Sequence, residues 1–278
     1  MDYKLPKRIE NSNKSTYGRV LNIAGSDYMP GAAYLSSVAA LKIGCGYCFL
    51  ASTERAISAV AAQTQNIVFV PLKQVVEHLN LPPEAVTIGC GLSQNDEAVE
   101  TFKTVIQNTS PETPIVIDAD GLNILAKMPV LFTSKGFKQA VVTPHPKEAS
   151  RLLNCSLDEI LSDVPAAAIK ISKIYNCVTV LKTHKTVVTA PDRQTYTNST
   201  GNNCMAKAGS GDVLAGMISG LIAQGKDIFE AAVLGVYLHG LCGDIAKNKL
   251  TEYSVMAEDL ISFIPDAIKF YLNEQIKI

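Results

Sequence analysis

Two glycines flank a serine in Gly209-Ser210-Gly211, and a carboxylate, Asp212, follows at once before a long apolar run. Backbone N–H groups in such a turn can converge, and a helix starting there adds its positive end, so the segment suits a phosphate or an oxyanion. A carboxylate at that point has two readings. It caps the helix by accepting the first N–H groups, or it takes the proton from a hydroxyl attacking phosphorus while the amides stabilise the transferred group. Charge favours the second, because a phosphate held at the turn would repel an idle carboxylate. No Lys-Ser/Thr follows the glycines and no GxGxxG follows a strand, so the segment is neither a Walker A loop nor a dinucleotide fingerprint.

Other chemistry-bearing residues fall just after short β-branched runs. His145 stands between Pro144 and Pro146, whose rings restrict the backbone and hold the imidazole in place at low entropic cost; a rigid loop at a strand end favours a functional over a structural histidine. Asp118, Asp120 and Asn123 follow another run. The two acids are not expected to act as a pair: one caps the next helix, and the other, or Asn123, faces the site. The small-residue loops Gly25-Ser26-Asp27-Tyr28-Met29-Pro30-Gly31-Ala32-Ala33 and Gly89-Cys90-Gly91-Leu92-Ser93 are either close approaches to a ligand or tight turns. His78, His184 and His239 have weaker cases, and no two histidines sit at metal-ligand spacing.

These residues need a scaffold that gathers strand ends. From residue 20 onward, β-branched runs alternate with segments of helical periodicity, which is the signature of βαβ units and a mostly parallel sheet. Strands are predicted at 20–24, 47–51, 67–70, 85–89, 114–118, 139–143 and 177–182, with an antiparallel hairpin at 186–190 and 195–198. Helices are predicted at about 31–43, 53–62, 95–108, 121–127, 146–154 and 163–175, and then at 211–224, 227–247 and 257–273. No linker, repeat or low-complexity block interrupts the pattern, so a single α/β domain over 1–278 is expected, with residues 1–16 a solvated tail or short helix. In such a sheet ligands bind beyond the carboxyl ends of the strands, where the residues above fall.

Composition narrows the partners. The 278 residues are 47% hydrophobic and 18% charged, with a net charge of -1, so no global field holds nucleic acid or an anionic membrane, and small molecules are expected instead. The seven cysteines lie mostly inside apolar segments and read as reduced core thiols of a cytoplasmic protein. Cys45-Gly-Tyr-Cys48 lacks a second pair at zinc spacing. No secretory signal follows the basic head, and the longest apolar run, 231–246, is short for a membrane span.

Six segments, MPGAAYLSSVAALKIGCG (29–46), IGCGL (88–92), VIDADGLNIL (116–125), TPHPKE (143–148), VLKTHKTVV (180–188) and NSTGNNCMAKAGSGDVLAG (198–216), together resemble the ADP/ATP-dependent NAD(P)H-hydrate dehydratases of the ribokinase-like superfamily. The resemblance runs from about Tyr17 to Ile264 and implies a three-layer α/β/α sandwich. It also implies repair of hydrated NAD(P)H, in the S epimer, by phosphorylation of the ring hydroxyl from ADP or ATP and loss of phosphate. By analogy Asp212 is the base and a contact to the hydrate. Ala32 or Ala33, Gly91 and His145 line the hydrate pocket; Lys182, Thr183, His184, Lys185 and Thr186, with Gly209, Ser210 and Gly211, hold the nucleotide. The family further implies Mg2+ bridging phosphates without direct protein ligation, a homotetramer, and a separate epimerase for the other epimer, since strand one begins by residue 20. The chain departs from the commoner family form at Asn203-Cys204 and Lys207-Ala208; Lys207 either adds a cation for the phosphates or is solvated. The alternative within the superfamily is a small-molecule kinase of the hydroxymethylpyrimidine or hydroxyethylthiazole type.

Overall fold

The computed structural model describes residues 3–81 and 83–276. One sheet of nine strands runs through it: β1 (Arg19–Ile23), β2 (Tyr47–Ser52), β3 (Val68–Pro71), β4 (Ala85–Ile88), β5 (Ile115–Ile117), β6 (Ala140–Val142), β7 (Val178–Leu181), β8 (Val187–Ala190) and β9 (Arg193–Thr197), in the order β3-β2-β1-β4-β5-β6-β7-β8-β9. Pairing is parallel from β3 to β7 and antiparallel from β7 to β9; Leu21 of β1 aligns with Phe49 of β2 on one side and Val86 of β4 on the other. All nine strands fall within a few residues of their predicted places. The chain builds outward from β1 to β3, returns, and builds the other way from β4, so the strand order reverses between β1 and β4 and leaves a crevice there.

Both sheet faces are covered, because successive strand residues alternate between them. Val20, Cys48, Ala85, Val116, Val141 and Val178 pack with α1 (Pro30–Lys42), α10 (Ser210–Ala223), α11 (Ile228–Lys249), α12 (Ala257–Ser262) and α13 (Ile264–Ile276). Leu21, Val86, Ile115, Ile117 and Val142 pack the opposite way, against α4 (Asp96–Asn108), α5 (Asp120–Lys127), α7 (Pro146–Leu153) and α9 (Val164–Tyr175). The ribokinase-like three-layer sandwich expected from sequence is therefore the fold. α10 is the central helix, buried along nearly its whole length. It presses on α1 so closely that a Cβ on Gly216 would lie 2.1 Å from the Ser36 carbonyl oxygen, and one on Gly220 2.6 Å from that of Ala40. Asn22 of β1 fixes α1 from below by donating to the hydroxyls of Ser36 (2.8 Å) and Ser37 (2.9 Å).

Four local expectations need correction. The single helix expected at 257–273 is two helices broken at Phe263, with Pro265 in the first turn of the second, where proline's missing N–H costs nothing. Three short helices were not expected: α3 (Val75–Leu79), α6 (Pro129–Lys135) and α8 (Leu157–Ser162). The head is exposed over residues 7–16, but it is anchored to the body and is not a free tail. Arg8 donates to the Gly44 carbonyl (2.6 Å) and to Gln224 (3.1 Å), Tyr271 donates to the Tyr3 carbonyl, and Leu5 joins the core; only residues 14–17 form a 3-10 turn. Met1 and Asp2 lie outside the described residues. Finally α11, at 22 residues, is long and apolar enough to cross a bilayer, but 72% of its apolar window is buried within the protein, as befits a core helix. All seven cysteines are free and all but Cys155 are buried, and burial pushes the Cys48 thiol up to about 12.

Candidate functional site at the strand-order reversal

α10 begins at Ser210 after Gly209, which turns the chain with φ +91°, a left-handed conformation that glycine adopts without a steric penalty. A Cβ there would also lie 2.5 Å from Leu35. No side chain caps this helix, and Asp212 sits within its first turn. Capping is thus not the role of Asp212. The N–H groups of Gly211 and Asp212 belong to the first helical turn, which has no intrahelical acceptors for them, and they point with the helix dipole into the crevice.

Opposite this turn stands a charged group assembled from three strand ends. Lys182, just past β7, places its Nζ 2.6 Å from Oδ1 of Asp118, just past β5, and Asp118 is only 1% exposed. A Cβ on Gly211 would meet Lys182 Nζ at 3.3 Å and Asp118 Oδ2 at 3.7 Å, so the helix turn and the ion pair face each other across a small gap. Cys90, after β4, completes the cluster: a thiol and one oxygen each of Asp118 and Asp212 lie within 4.8 Å of one another. Burial, reinforced by the Asp118 charge, raises the Asp212 carboxyl to about 6. Burial pushes the Lys182 ammonium down, but Asp118 and Glu148 outweigh it, so its pKa ends above the ordinary value and the charge is retained.

His145 caps α7 with its ring. Nδ1 accepts from the N–H groups of Lys147 (3.1 Å) and Glu148 (3.3 Å), and the Glu148 carboxylate accepts from the His145 N–H (2.8 Å). An accepting Nδ1 leaves the ring proton on Nε2, which stands 3.4 Å from the other Glu148 oxygen. Burial and the nearby Lys182 lower the imidazole pKa, which keeps the ring neutral. Glu148 itself is buried and raised to about 7 by that burial, with Lys182 opposing the shift.

The other expected site residues divide. Ala32 is half-buried beside Gly91, where a Cβ would come within 2.6 Å of the Ala32 methyl, so these two form one wall of the crevice. Ala33 is fully buried and packs against Gly25; it offers no surface to a ligand, which corrects that alternative. Lys182, Gly209, Ser210 and Gly211 come together as expected. Thr183 and Thr186 stabilise the β7–β8 loop internally, Thr183 Oγ1 donating to the Lys185 carbonyl (2.9 Å) and Thr186 Oγ1 to that of Thr183 (3.1 Å), while His184 and Lys185 stand exposed at its tip. Lys207 is exposed, and its Nζ donates to the Tyr253 carbonyl at 3.1 Å. Asn123 accepts from Arg151 at 2.6 Å and ties α5 to α7. Of the two acids, Asp118 faces the site and Asp120 pins the loop after β4 by accepting from the Ser93 N–H (2.8 Å) and from Gln94 (3.1 Å).

Residues that sequence reasoning missed are Cys90, Glu148 and His239. His239, buried on α11, lies 3.4 Å from the Ser210 hydroxyl and is pushed down to about 4 by burial, so it supports the helix turn as a neutral ring. Its position in a long apolar helix gave no local signal. A separate cavity of about 450 Å3 opens at the other end of the strands, near Asn176, Arg193 and Asp227, away from this cluster.

A helix N-terminus facing a buried lysine–aspartate pair, with a carboxylate of raised pKa in its first turn at the strand-order reversal, is set in a ribokinase-like α/β fold. The NAD(P)H-hydrate dehydratase family profile matches residues 20–266, and the chain belongs to that family. It is 38% identical over 243 residues to the ADP-dependent (S)-NAD(P)H-hydrate dehydratase of Neisseria meningitidis, covering 87% of this chain and 81% of that one. It is 36% identical over 286 residues to the bifunctional NAD(P)H-hydrate repair enzyme of Moorella thermoacetica; 99% of the chain is matched, but it spans only 53% of that relative. The crystal structure of the ADP/ATP-dependent NAD(P)H-hydrate dehydratase of Bacillus subtilis, co-crystallised with ATP and Mg2+, superposes with a TM-score of 0.85 at 29% identity, covering 96% and 94% of the two chains.

Proposed function

We propose that the protein dehydrates the S epimer of NAD(P)H hydrate to NAD(P)H at the expense of ADP or ATP, a repair reaction. The observation that carries the reading is Asp212: a carboxylate raised to about 6, set in the first turn of a helix whose free N–H groups face Lys182 and Asp118. In this scheme the terminal phosphate of the nucleotide lies against Gly211 and Lys182, where amides and ammonium stabilise the charge that develops on it. Asp212 accepts the proton of the ring hydroxyl as its oxygen bonds to phosphorus and the bridging oxygen of the nucleotide departs. The carbon–oxygen bond then breaks with phosphate as leaving group, the ring nitrogen supplies the electron pair, and loss of a neighbouring ring proton restores the double bond. Ala32, Gly91 and His145 bound the hydrate.

The donor set suits Mg2+ held chiefly by phosphates and water. Asp118 and Asp212 offer carboxylate oxygens, the third group is a thiol, which that ion disfavours, and three buried or half-buried carboxyls surround one ammonium. When bound, Mg2+ would neutralise phosphate charge. The β7–β8 loop 182–186 would take the nucleoside. A homotetramer and a cytoplasmic setting go with this reading, as does an epimerase acting on the other epimer, an activity for which the longer bifunctional relatives offer a parallel. A small-molecule kinase shares the fold and the base, but the family match favours the dehydratase. The test is recovery of reduced-nicotinamide absorbance from NADH hydrate or NADPH hydrate with Mg2+ and ADP or ATP; no recovery with either nucleotide overturns the proposal.

A further inference from the structure

The proposed substrate is a dinucleotide, of which the hydrated ring is the part that must reach Asp212 between Ala32 and Gly91. Its distal half, a pyrophosphate and an adenosine, must therefore leave across the rim. The phosphoryl donor occupies the Lys182 side, toward β7 and β8. That leaves two exits: over the loop 250–256 between α11 and α12, or over the loops that follow β1 and β2.

The first exit is lined with negative charge. Glu252, Glu258 and Asp259 stand there, Glu258 adding to burial in raising the Tyr34 hydroxyl; Lys247 pairs with Glu252 at 3.1 Å and Lys207 donates to the Tyr253 carbonyl. The second exit sets an aromatic ring beside a cation, with the exposed carboxylates of Asp27 and Glu54 next to them in sequence. Tyr28, one residue before the crevice-lining Met29, is 86% exposed. The Arg55 guanidinium, on α2 (Glu54–Ala61) just after β2, lies over its ring, 5.4 Å from the centroid. Among the described residues Arg55 makes no ion pair with a carboxylate, and an arginine placed beside an aromatic ring without one has its planar donors free for a phosphate. An exposed ring beside an unpaired guanidinium matches an adenine face and a phosphate.

We propose that Tyr28 and Arg55 form the subsite for the distal adenosine-phosphate half of the dinucleotide, the ring stacking on adenine and the guanidinium pairing with a phosphate of that half. The inference rests on the dehydratase reading. It makes the pair a determinant of substrate size, acting on binding and not on the chemical step.

The test compares the native enzyme with Arg55→Ala, Tyr28→Ala and Tyr28→Phe, using the hydrates of NADH, NADPH and reduced nicotinamide mononucleotide, which lacks the distal half. Both alanine variants should raise KM for the two dinucleotide hydrates by about tenfold, the weight of one charge-assisted contact or stacked ring, with kcat and the KM for ADP unchanged. Tyr28→Phe should behave as native, and the mononucleotide hydrate should be handled alike by all four proteins. An equal rise for both dinucleotides puts Arg55 on the pyrophosphate; a larger rise for NADPH hydrate puts it on the 2′-phosphate. Unchanged KM for both, or an equal rise with the mononucleotide, overturns the subsite. Calorimetric binding of NADH and NADPH to the same variants reads the subsite independently of turnover, so an enzyme inactive on all three hydrates overturns the activity while the binding data still decide the subsite.

Discussion

Lys182 Nζ stands 2.6 Å from Asp118 Oδ1 and 3.3 Å from where a Cβ on Gly211 would lie, so one ammonium joins the buried carboxylate to the helix turn. Gly211 has ordinary helical geometry, and alanine can occupy it without backbone strain; its methyl would nevertheless fill the space proposed for the phosphate. Gly211→Ala is expected to keep its melting temperature and to lose nucleotide affinity by about tenfold or more. Native-like affinity by calorimetry would remove Gly211 from the nucleotide site.

Asp212→Asn is expected to lower kcat by about a hundred- to ten-thousand-fold, the usual range for a lost general base. In the native enzyme kcat/KM should fall as pH drops below about 6, where Asp212 takes up a proton and ceases to be a base. The sign for stability is opposite. The folded carboxyl titrates at about 6 and the ordinary value is 3.8, so between those values the folded state holds more protons than the unfolded state and stability declines as pH rises. At neutral pH the asparagine variant should therefore be more stable by about 2 kcal/mol in urea unfolding. A variant both inactive and destabilised would make Asp212 a structural group.

His145 has two duties that substitutions can separate. His145→Ala removes the acceptor for two N–H groups at the start of α7 and should cost about 1 kcal/mol of stability. His145→Asn retains a capping oxygen and should restore the melting temperature. In the proposed pocket only the ring would reach the hydrate, so the KM for NADH hydrate should stay raised in both; a native KM in the asparagine variant would reduce His145 to a cap.

Ala119, directly after Asp118, adopts φ 49° and ψ -120°, a conformation that glycine tolerates far better than alanine. Ala119→Gly is expected to raise stability by about 1 kcal/mol without loss of activity. A fall in melting temperature would mean that the methyl packs more usefully than its backbone strains.

What the sequence made visible was whatever repeats locally. Most strands are β-branched runs bounded by turn residues, β2 (YCFLAS) being aromatic and aliphatic instead, and the glycines around Ser210 announced a helix start. The short helices α3, α6 and α8 are too brief for a periodic pattern to emerge, and the break at Phe263 was signalled only by Pro265. Asp118 could be seen to end a strand, but its pairing with Lys182 joins residues that are remote in sequence. Glu148 stood in plain view within TPHPKE, three residues after His145 as in a capping box, yet its burial depends on how α7 docks. Lys207 shows the converse: a cation beside a phosphate loop in sequence, turned in space toward the Tyr253 carbonyl.

The contact between α1 and α10 bears on motion. With Gly216 and Gly220 set against the α1 backbone, neither helix can slide along the other without a collision. α1 carries Ala32 and α10 carries Asp212, so these two travel as one rigid body. Any closing of the crevice over a bound dinucleotide must then come from the peripheral loops, at 26–29, 183–186 and 250–256, and the spacing between acceptor wall and base is preset before a ligand arrives.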